Sequence, residues 1–155
     1  MTEQDAVRLG VVGLGFMGQT HATNAEELGH EVVAGTDLAP DAREAFAATY
    51  DAATYEDVDE MYDAEALAAV AVSTPNAYHE SAAVGALERD IDVLCEKPLA
   101  DTLDSAERIA AAADDSDGFC AVNFHNRFST AAEMFTGYQS EGRFGKISHV
   151  RANYV

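Results

Sequence analysis

The sequence predicts an α/β fold in which a parallel sheet is covered by helices on both faces. Short apolar runs of strand length alternate along the chain with segments of helical periodicity. This alternation is typical of strand–helix–strand units, because consecutive parallel strands need a long crossover, usually a helix. The apolar runs are almost free of polar residues, as expected for a doubly wound sheet buried on both faces.

Seven segments are predicted to be strands. The first is the run VRLGVVG, and the weakest is a short segment near Thr54 with acidic flanks. The last run, KISHVRANYV, ends at Val155 with no polar stop, which would leave an apolar edge. In chain order, the predicted strands are 7–13, 30–37, the short strand near Thr54, the end of 66–74, 91–97, 118–124 and 146–155.

Six segments between these strands are predicted to be helices. Gly29 is a typical C-terminal residue of the first helix, and Pro40 and Asp41 are typical of the first turn of the second. The stretch DTLD is similar to a helix N-terminal cap. The predicted helices are 18–29, 39–50, 57–62, 76–90, 101–115 and 129–142.

The chain end sets an expectation about domains. The 155 residues are enough for one ordinary domain with a real core. We expect residues 1–125 to form the α/β domain and residues 126–155 to form only the start of a second domain. The chain is then expected to be a fragment or a truncated product.

The composition is strongly acidic. The chain has 28 Asp and Glu against 9 Lys and Arg, a net charge of −19, and the acids are spread along it. A dispersed excess of negative charge repels itself at low salt, and this repulsion is screened at high salt. The composition therefore predicts an acidic, halophilic protein that works in a salt-rich cytoplasm. No basic patch could neutralise phosphates, so nucleic acid is not an expected partner.

The hydrophobic segments predict neither a membrane span nor a secreted protein. No apolar run approaches the ~18 residues of a spanning helix, and the N-terminus lacks an apolar signal region. Cys95 and Cys120 both lie within apolar runs and are expected to be buried. Their number and spacing predict neither a disulfide framework nor a metal site.

A glycine motif follows the first predicted strand. In VVGLGFMGQTH, Gly13, Gly15 and Gly18 form the pattern G-x-G-x-x-G between a strand and a helix. This context is the one that a dinucleotide fingerprint requires: a tight turn, close approach to a pyrophosphate, and close helix–strand packing. Phe16 and Met17, within the motif, are further candidate cofactor contacts. A purely structural glycine turn is the alternative.

Asp37 ends the second predicted strand, 19 residues after Gly18 (37 − 18 = 19). The acid that bonds the ribose hydroxyls of NAD lies about 20 residues on from the motif. A carboxylate there repels the 2′-phosphate of NADP, so NAD is the expected cofactor and NADP is disfavoured. The alternative is a surface aspartate that caps the next helix.

The fourth predicted strand ends in Ser73, Thr74, Pro75 and Asn76. Ligands lie at the carboxyl ends of parallel strands, and these side chains suit the nicotinamide side of a dinucleotide. Capping of the following helix by Thr74 or Asn76 would also explain them. His79 lies in the first turn of that helix and faces the same edge, although a helix histidine is more often simply solvated.

Lys97 follows the fifth predicted strand at the same edge, in the stretch DVLCEKPLA. Its amine could hydrogen-bond a substrate hydroxyl or take its proton. Pro98 restricts how the chain leaves the strand and so where Lys97 points. The alternative is a structural ion pair between Lys97 and Glu96.

The ordered motifs together resemble the Gfo/Idh/MocA-type oxidoreductases, which are relatives of glucose–fructose oxidoreductase and inositol dehydrogenase. The stretches that carry the resemblance span nearly the whole chain: GLGFMG, Asp37, STPNAYH, CEKPLA, NRFS and GRFGKISHV. The resemblance implies a Rossmann-type NAD(P)-binding domain followed by a second α/β domain. It implies that Lys97 is catalytic or orients the substrate, and that Glu96, Lys97, His79 and Arg127 lie near the cofactor.

The implied function is that of an NAD(P)-dependent oxidoreductase that acts on CH–OH groups of sugar-like or polyol substrates. Members of the family usually run well past 300 residues, so a complete catalytic site within this chain is not expected. A homo-oligomer is expected only if the second domain is present. The alternatives are a non-catalytic dinucleotide-binding module and a methyltransferase, which also uses a glycine-rich strand–turn–helix.

Overall fold

A computed structural model describes residues 6–151. Six strands form one parallel sheet: β1 (Arg8–Val12), β2 (Glu31–Thr36), β3 (Ala53–Tyr55), β4 (Ala69–Val72), β5 (Asp92–Cys95) and β6 (Cys120–Val122). The helices are α1 (Phe16–Glu27), α2 (Pro40–Tyr50), α3 (Val58–Ala64), α4 (His79–Leu87), α5 (Leu103–Asp115) and α6 (Thr130–Ser140). The predicted α/β fold with a parallel sheet is confirmed.

The strand order is β3-β2-β1-β4-β5-β6. This is the order of a doubly wound Rossmann sheet, in which the chain reverses its direction of growth between the first and fourth strands. The carboxyl ends of β1 and β4 therefore border a crevice that no crossover covers. In open α/β sheets, ligands bind in this crevice.

Two apolar cores cover the two faces of the sheet. Val11 of β1 packs with Ala22 of α1 and Phe46 of α2, whereas its neighbour Val12 belongs to the core shared with α3, α4 and α5. Successive strand residues point to opposite faces, so a strand buried on both faces must be apolar at every position. Cys95 is fully buried and Cys120 is half-buried, both as free thiols.

Several predicted boundaries differ from the structure. α1 begins at Phe16 because Gly15 is its N-terminal cap, so the first turn lies inside the glycine motif. The segment 76–90 splits into a 3-10 turn, Asn76–Tyr78, and α4. The prediction of a cap in DTLD is confirmed, because the Thr102 hydroxyl accepts the N–H of Ser105 at 3.1 Å.

The predicted strand 146–155 is wrong over its described part. Residues 146–151 form no strand, and residues 152–155 lie outside the described residues. A strand exists only when its backbone groups pair with a neighbouring strand. The six strands pair among themselves, and residues 146–151 have no pairing partner within residues 6–151.

The chain divides into two compact units, with the division between Asn123 and Phe124. The first unit contains the sheet and helices α1 to α5. The second contains a 3-10 turn, His125–Phe128, and α6, which is capped by the Ser129 hydroxyl. The assignment of residues 126–155 to the start of a substrate domain stays a prediction.

Candidate functional site

A cleft of about 500 Å³ lies at the carboxyl edge of the sheet. It is bordered by the segments that follow β1, β2, β3 and β4, so it occupies the crevice that the strand order predicts. Six predicted site residues line it: Gly13, Gly15, Asp37, Ser73, Thr74 and Pro75. Residues that sequence reasoning did not single out complete the lining: Val12, Thr36, Leu38, Glu56, Asp57, Val58, Tyr78, Ser81 and Ala82.

The three motif glycines differ in their surroundings. Gly13 has a φ of +89°, and a Cβ there would lie 2.8 Å from the backbone nitrogen of Thr74. A Cβ on Gly18 would overlap the carbonyl oxygen of Gly13. Gly15, by contrast, borders the cleft, and a Cβ on it would have no neighbour within 4 Å. Gly13 and Gly18 therefore allow close packing, and Gly15 leaves room in the cleft.

The N-terminus of α1 opens directly after Gly15. Gly15 is extended, and no side chain caps the helix. The first-turn N–H groups, including those of Phe16 and Met17, are therefore not bonded by a cap, and they lie at the positive end of the helix dipole. An anion such as a pyrophosphate fits this position. The Phe16 side chain is 84% exposed, and Met17 is half-buried.

Asp37 connects the glycine loop to the turn before α2. One carboxylate oxygen accepts the N–H of Leu14 at 2.9 Å, and the other accepts the N–H of Ala39 at 2.9 Å. Each carboxylate oxygen has a second lone pair that could accept a ribose hydroxyl. The alternative of a helix cap is met only in part, since Ala39 precedes the first residue of α2 and no side chain caps that helix.

Two hydroxyl groups follow β4, on Ser73 and Thr74. Ser73 Oγ and Thr74 Oγ1 are buried, and neither has a hydrogen-bond partner within residues 6–151. A buried hydroxyl without a partner costs about 1–3 kcal/mol, so a partner at this position would be favourable. The capping alternative does not hold, because no side chain caps the 3-10 turn or α4. Asn76 is exposed on the 3-10 turn.

His79 is buried at the carboxyl edge of the sheet, so the alternative of a solvated helix histidine does not hold, and its role near a cofactor stays a prediction. Only 1% of the residue is exposed. Its Nε2 lies 2.8 Å from the carbonyl oxygen of Thr74, and its Nδ1 lies 3.0 Å from that of Pro98. The ring thus connects the turn after β4 to the turn after β5 through contacts with the carbonyl oxygens of both turns. Sequence periodicity could not predict this, because it assigns His79 to a first helical turn without showing what the ring contacts.

Glu96 is buried in a hydrogen-bond network. One oxygen accepts from His21 Nε2 at 3.0 Å and from Asn123 Nδ2 at 2.7 Å, and the other accepts the N–H of Lys97 at 3.2 Å. Burial alone would raise the pKa of this carboxyl, but the hydrogen bonds from Asn123, His21 and Lys97 together outweigh burial and lower it. Neither His21 nor Asn123 was predicted, since they are 75 and 27 residues from Glu96 in sequence.

Lys97 lies just after β5, and its side chain is exposed. The ion pair with Glu96 that was the alternative is not observed, because the Glu96 carboxylate is bonded to His21 and Asn123. Within residues 6–151, Lys97 forms no salt bridge, so its amine is available to a ligand. Lys97 does not line the cleft itself. It follows the strand next to β4, and the peptide bond to Pro98 is cis.

Arg127 belongs to the second compact unit. It lies in the 3-10 turn His125–Phe128, with its guanidinium carbon 5.5 Å from the centre of the Phe128 ring. Its position beside a cofactor stays a prediction.

A family comparison agrees with the architecture and the cleft. The sequence model of the Gfo/Idh/MocA family, described as the NAD-binding Rossmann fold of an oxidoreductase family, matches residues 7–124. The chain belongs to this family. The matched residues cover β1 to β6 and the glycine loop. The predicted family membership is therefore confirmed.

Individual relatives are dehydrogenases. The chain is 32% identical over 154 residues to inositol 2-dehydrogenase of Acidothermus cellulolyticus, covering 96% of this chain and 44% of that protein. It is 26% identical over 148 residues to glucose-6-phosphate 3-dehydrogenase of Bacillus subtilis, covering 95% and 42%. The chain thus spans less than half the length of these relatives and corresponds to the NAD-binding domain of the family.

A solved structure shows the same fold. The WlbA dehydrogenase of Bordetella pertussis, determined in complex with NADH and UDP-GlcNAcA, is 26% identical and superposes with a TM-score of 0.88. The superposition covers 92% of this chain and 44% of that protein. This Gfo/Idh/MocA domain therefore has the fold of a dehydrogenase known with NADH bound.

Proposed function

We propose that the chain binds NAD in the cleft and is the cofactor-binding part of an oxidoreductase. The substrate class would be sugar-like or polyol compounds oxidised or reduced at a CH–OH group. The observation that carries the proposal is that two features border one cleft. One is the N-terminus of α1, which no side chain caps and which follows Gly15, and the other is the Asp37 carboxylate. The first suits a pyrophosphate and the second suits ribose hydroxyls.

The residues of the cleft have separate tasks in this proposal. The first turn of α1, from Phe16 to Gly18, would hold the pyrophosphate, and Asp37 would bond the adenine ribose. The buried hydroxyls of Ser73 and Thr74 have no partner among the described residues, and they would bond the nicotinamide half by rotating toward it. Pro75 and Asn76 would border the same half. NAD supplies the hydride chemistry when bound, and the protein positions it.

Lys97 would act on the substrate hydroxyl. Oxidation of the substrate would remove a hydride from its C–H bond, which bound NAD would accept, and a proton from its O–H bond. The neutral form of the Lys97 amine would accept that proton and become an ammonium group. The Lys97 amine is exposed, lies beside the end of β4 and forms no salt bridge in the described residues. Glu96 would hold the backbone of Lys97 in place, and His79 would fix the two turns that carry Thr74 and Pro98.

Relatives support the substrate class. Proteins similar to this chain are named inositol 2-dehydrogenase and glucose-6-phosphate 3-dehydrogenase, which are enzymes for a polyol and a sugar phosphate. We propose a substrate of this general kind.

We also propose that the protein is located in a salt-rich cytoplasm and forms a homo-oligomer when the second domain is present. Among the helices of residues 6–151, none has the length and apolar character that a membrane span requires.

Replacing Lys97 tests the proposed catalytic role. In an enzyme that joins this chain to a family substrate domain, Lys97→Ala should leave NADH affinity unchanged within about twofold, because Lys97 does not line the cleft. Turnover of a polyol panel should fall by at least about a hundredfold, the usual contribution of a positioned proton-transfer group. Equal turnover in the variant would remove Lys97 from the mechanism.

A further inference from the structure

The ribose end of the cleft contains determinants of both cofactor preferences. A carboxylate at the end of the second strand selects NAD, whereas an arginine nearby can accommodate the 2′-phosphate of NADP. This chain has Asp37 at that position and Arg43 six residues later. Cofactor preference therefore depends on what holds the guanidinium of Arg43.

Arg43 is folded back onto the turn that carries Asp37. Its Nη1 donates to the carbonyl oxygen of Asp37 at 2.6 Å and to that of Leu38 at 3.1 Å. Its Nη2 donates to Glu56 Oε2 at 3.4 Å. The side chain is only 18% exposed. Arg43 does not line the cleft, although Leu38 and Glu56 do.

Glu56 is a second, largely exposed acid at the end of the cleft where Asp37 lies. Its side chain is 73% exposed, and its sole ion pair within residues 6–151 is with Arg43. The neighbouring Asp57 also lines the cleft, but its carboxylate caps α3 through the N–H groups of Asp59 and Glu60 at 2.8 and 3.1 Å. The charge of Asp57 is therefore compensated by the helix, and that of Glu56 is compensated only by Arg43.

We propose that Glu56 is a specificity-determining residue that enforces the preference for NAD over NADP. It acts in two ways: it anchors Arg43 away from the ribose, and it adds negative charge next to Asp37. This inference rests on the proposed binding of a dinucleotide in the cleft. A 2′-phosphate would meet the Asp37 and Glu56 carboxylates, while the nearby Arg43 is held by Glu56 and by two carbonyl oxygens.

The test uses the 155-residue chain and needs no turnover. NADH and NADPH are titrated into the wild type and Glu56→Gln at one salt concentration at which circular dichroism shows both to be folded. Because Glu56 is exposed, Glu56→Gln is expected to fold. Its NADPH affinity should rise about fivefold, because a charge repulsion of roughly 1 kcal/mol is removed and Arg43 loses its ion pair while keeping its bonds to the two carbonyl oxygens. NADH affinity should stay within about twofold.

Two further variants separate the causes. Arg43→Gln added to Glu56→Gln should reduce the gain in NADPH affinity without abolishing it, because the guanidinium is missing while the repulsion by the Glu56 carboxylate is still removed. Glu60→Gln is the matched control: it removes the same charge from an exposed position on α3 that does not line the cleft. It should leave the ratio of the two affinities unchanged.

Three results would overturn the inference while leaving the proposed function intact. The ratio of NADPH to NADH affinity could be the same in Glu56→Gln as in the wild type. Glu60→Gln could give the same gain, which would make the effect one of total charge. The double variant could keep the whole gain, which would contradict the anchoring of Arg43 by Glu56. Failure of the wild type to bind NADH would instead reject the proposed function, and this inference with it.

Discussion

Gly13, Gly15 and Gly18 lack a side chain for three different physical reasons. Gly13 adopts a positive φ against the backbone of Thr74, and Gly18 allows α1 to pack directly on the Gly13 carbonyl group. Gly15 has an ordinary extended conformation and open space around it. Two of the glycines thus serve the fold, whereas Gly15 serves the cleft.

Alanine substitutions at Gly18 and Gly15 should therefore affect different properties, stability in the first case and NADH affinity in the second. Gly18→Ala should lower the free energy of unfolding by about 3 kcal/mol, because the new methyl group overlaps a backbone oxygen that cannot easily move. Gly15→Ala should cost less than about 1 kcal/mol, and its methyl group should lower NADH affinity about tenfold by occupying the cleft. Urea denaturation and NADH titration measure the two effects. Equal stability losses in the two variants would contradict this division of roles.

Sequence spacing predicted where Asp37 would lie, although its role toward a cofactor stays a prediction. The distance from Gly18 to Asp37 places the carboxylate at the end of β2, and the structure puts it in the cleft with Gly13 and Gly15. Spacing does not show where a side chain points or what it contacts. The burial of His79 and the hydrogen-bond partners of Glu96 depend on packing between segments that are distant in sequence. A local sequence pattern cannot predict such packing.

At the scale of elements, Glu96 connects three parts of the first unit. Its carboxylate receives hydrogen bonds from His21 on α1, from Asn123 just after β6, and from the backbone of Lys97 just after β5. The helix proposed to bind the pyrophosphate is thereby joined to the turn that carries the proposed catalytic lysine. A lost partner would leave a buried carboxylate incompletely bonded.

The pH dependence of stability should reveal this network. Since the folded-state pKa of Glu96 is lowered, its contribution is complete above the unfolded-state value of about 4.3 and is lost as the pH falls through the folded-state pKa. Glu96→Gln should be less stable than the wild type by about 1–3 kcal/mol at pH 7. The difference should shrink below about pH 4.

Urea denaturation at several pH values measures this difference. Glu27→Gln, on the exposed surface of α1, is the control for loss of one carboxylate and should show little change. A stability difference between Glu96→Gln and the wild type that stays constant from neutral to acidic pH would contradict the lowered pKa.

The sequence predicted both the elements and the doubly wound parallel sheet, and it failed where a segment depends on a particular neighbour. Hydrophobic runs and helical periods located all six strands of the sheet and six helices to within a few residues. The error is the strand 146–155, where an apolar run was read as a strand although pairing depends on a neighbour. The residues after β3 were also missed as cleft residues. Glu56 and Asp57 follow a strand of only three residues. They line the same cleft as Asp37 because β3 lies beside β2.

At the scale of the whole molecule, the protein is strongly acidic and its proposed ligand is an anion. The net charge of −19 repels a dinucleotide, and the cleft itself contains Asp37, Glu56 and Asp57. The proposed phosphate site relies on backbone N–H groups and a helix dipole, which do not depend on scarce lysines. This arrangement is compatible with an acidic surface.

The charge also predicts a salt-dependent stability. Raising KCl from about 0.1 M to about 3 M should raise the melting temperature by about 5 °C or more, because screening relieves the repulsion among the 28 acidic residues. Circular dichroism at increasing temperature measures it. Identical melting temperatures at the two concentrations would remove the support for a halophilic protein.

The central claim, that this cleft binds NAD, is tested most directly by an NMR titration of the isotopically labelled chain with NADH. The account predicts saturable shifts concentrated in the backbone amides of Gly13, Gly15, Asp37 and Thr74. Absence of shifts at millimolar NADH, or saturable shifts confined to residues outside the cleft, would contradict it.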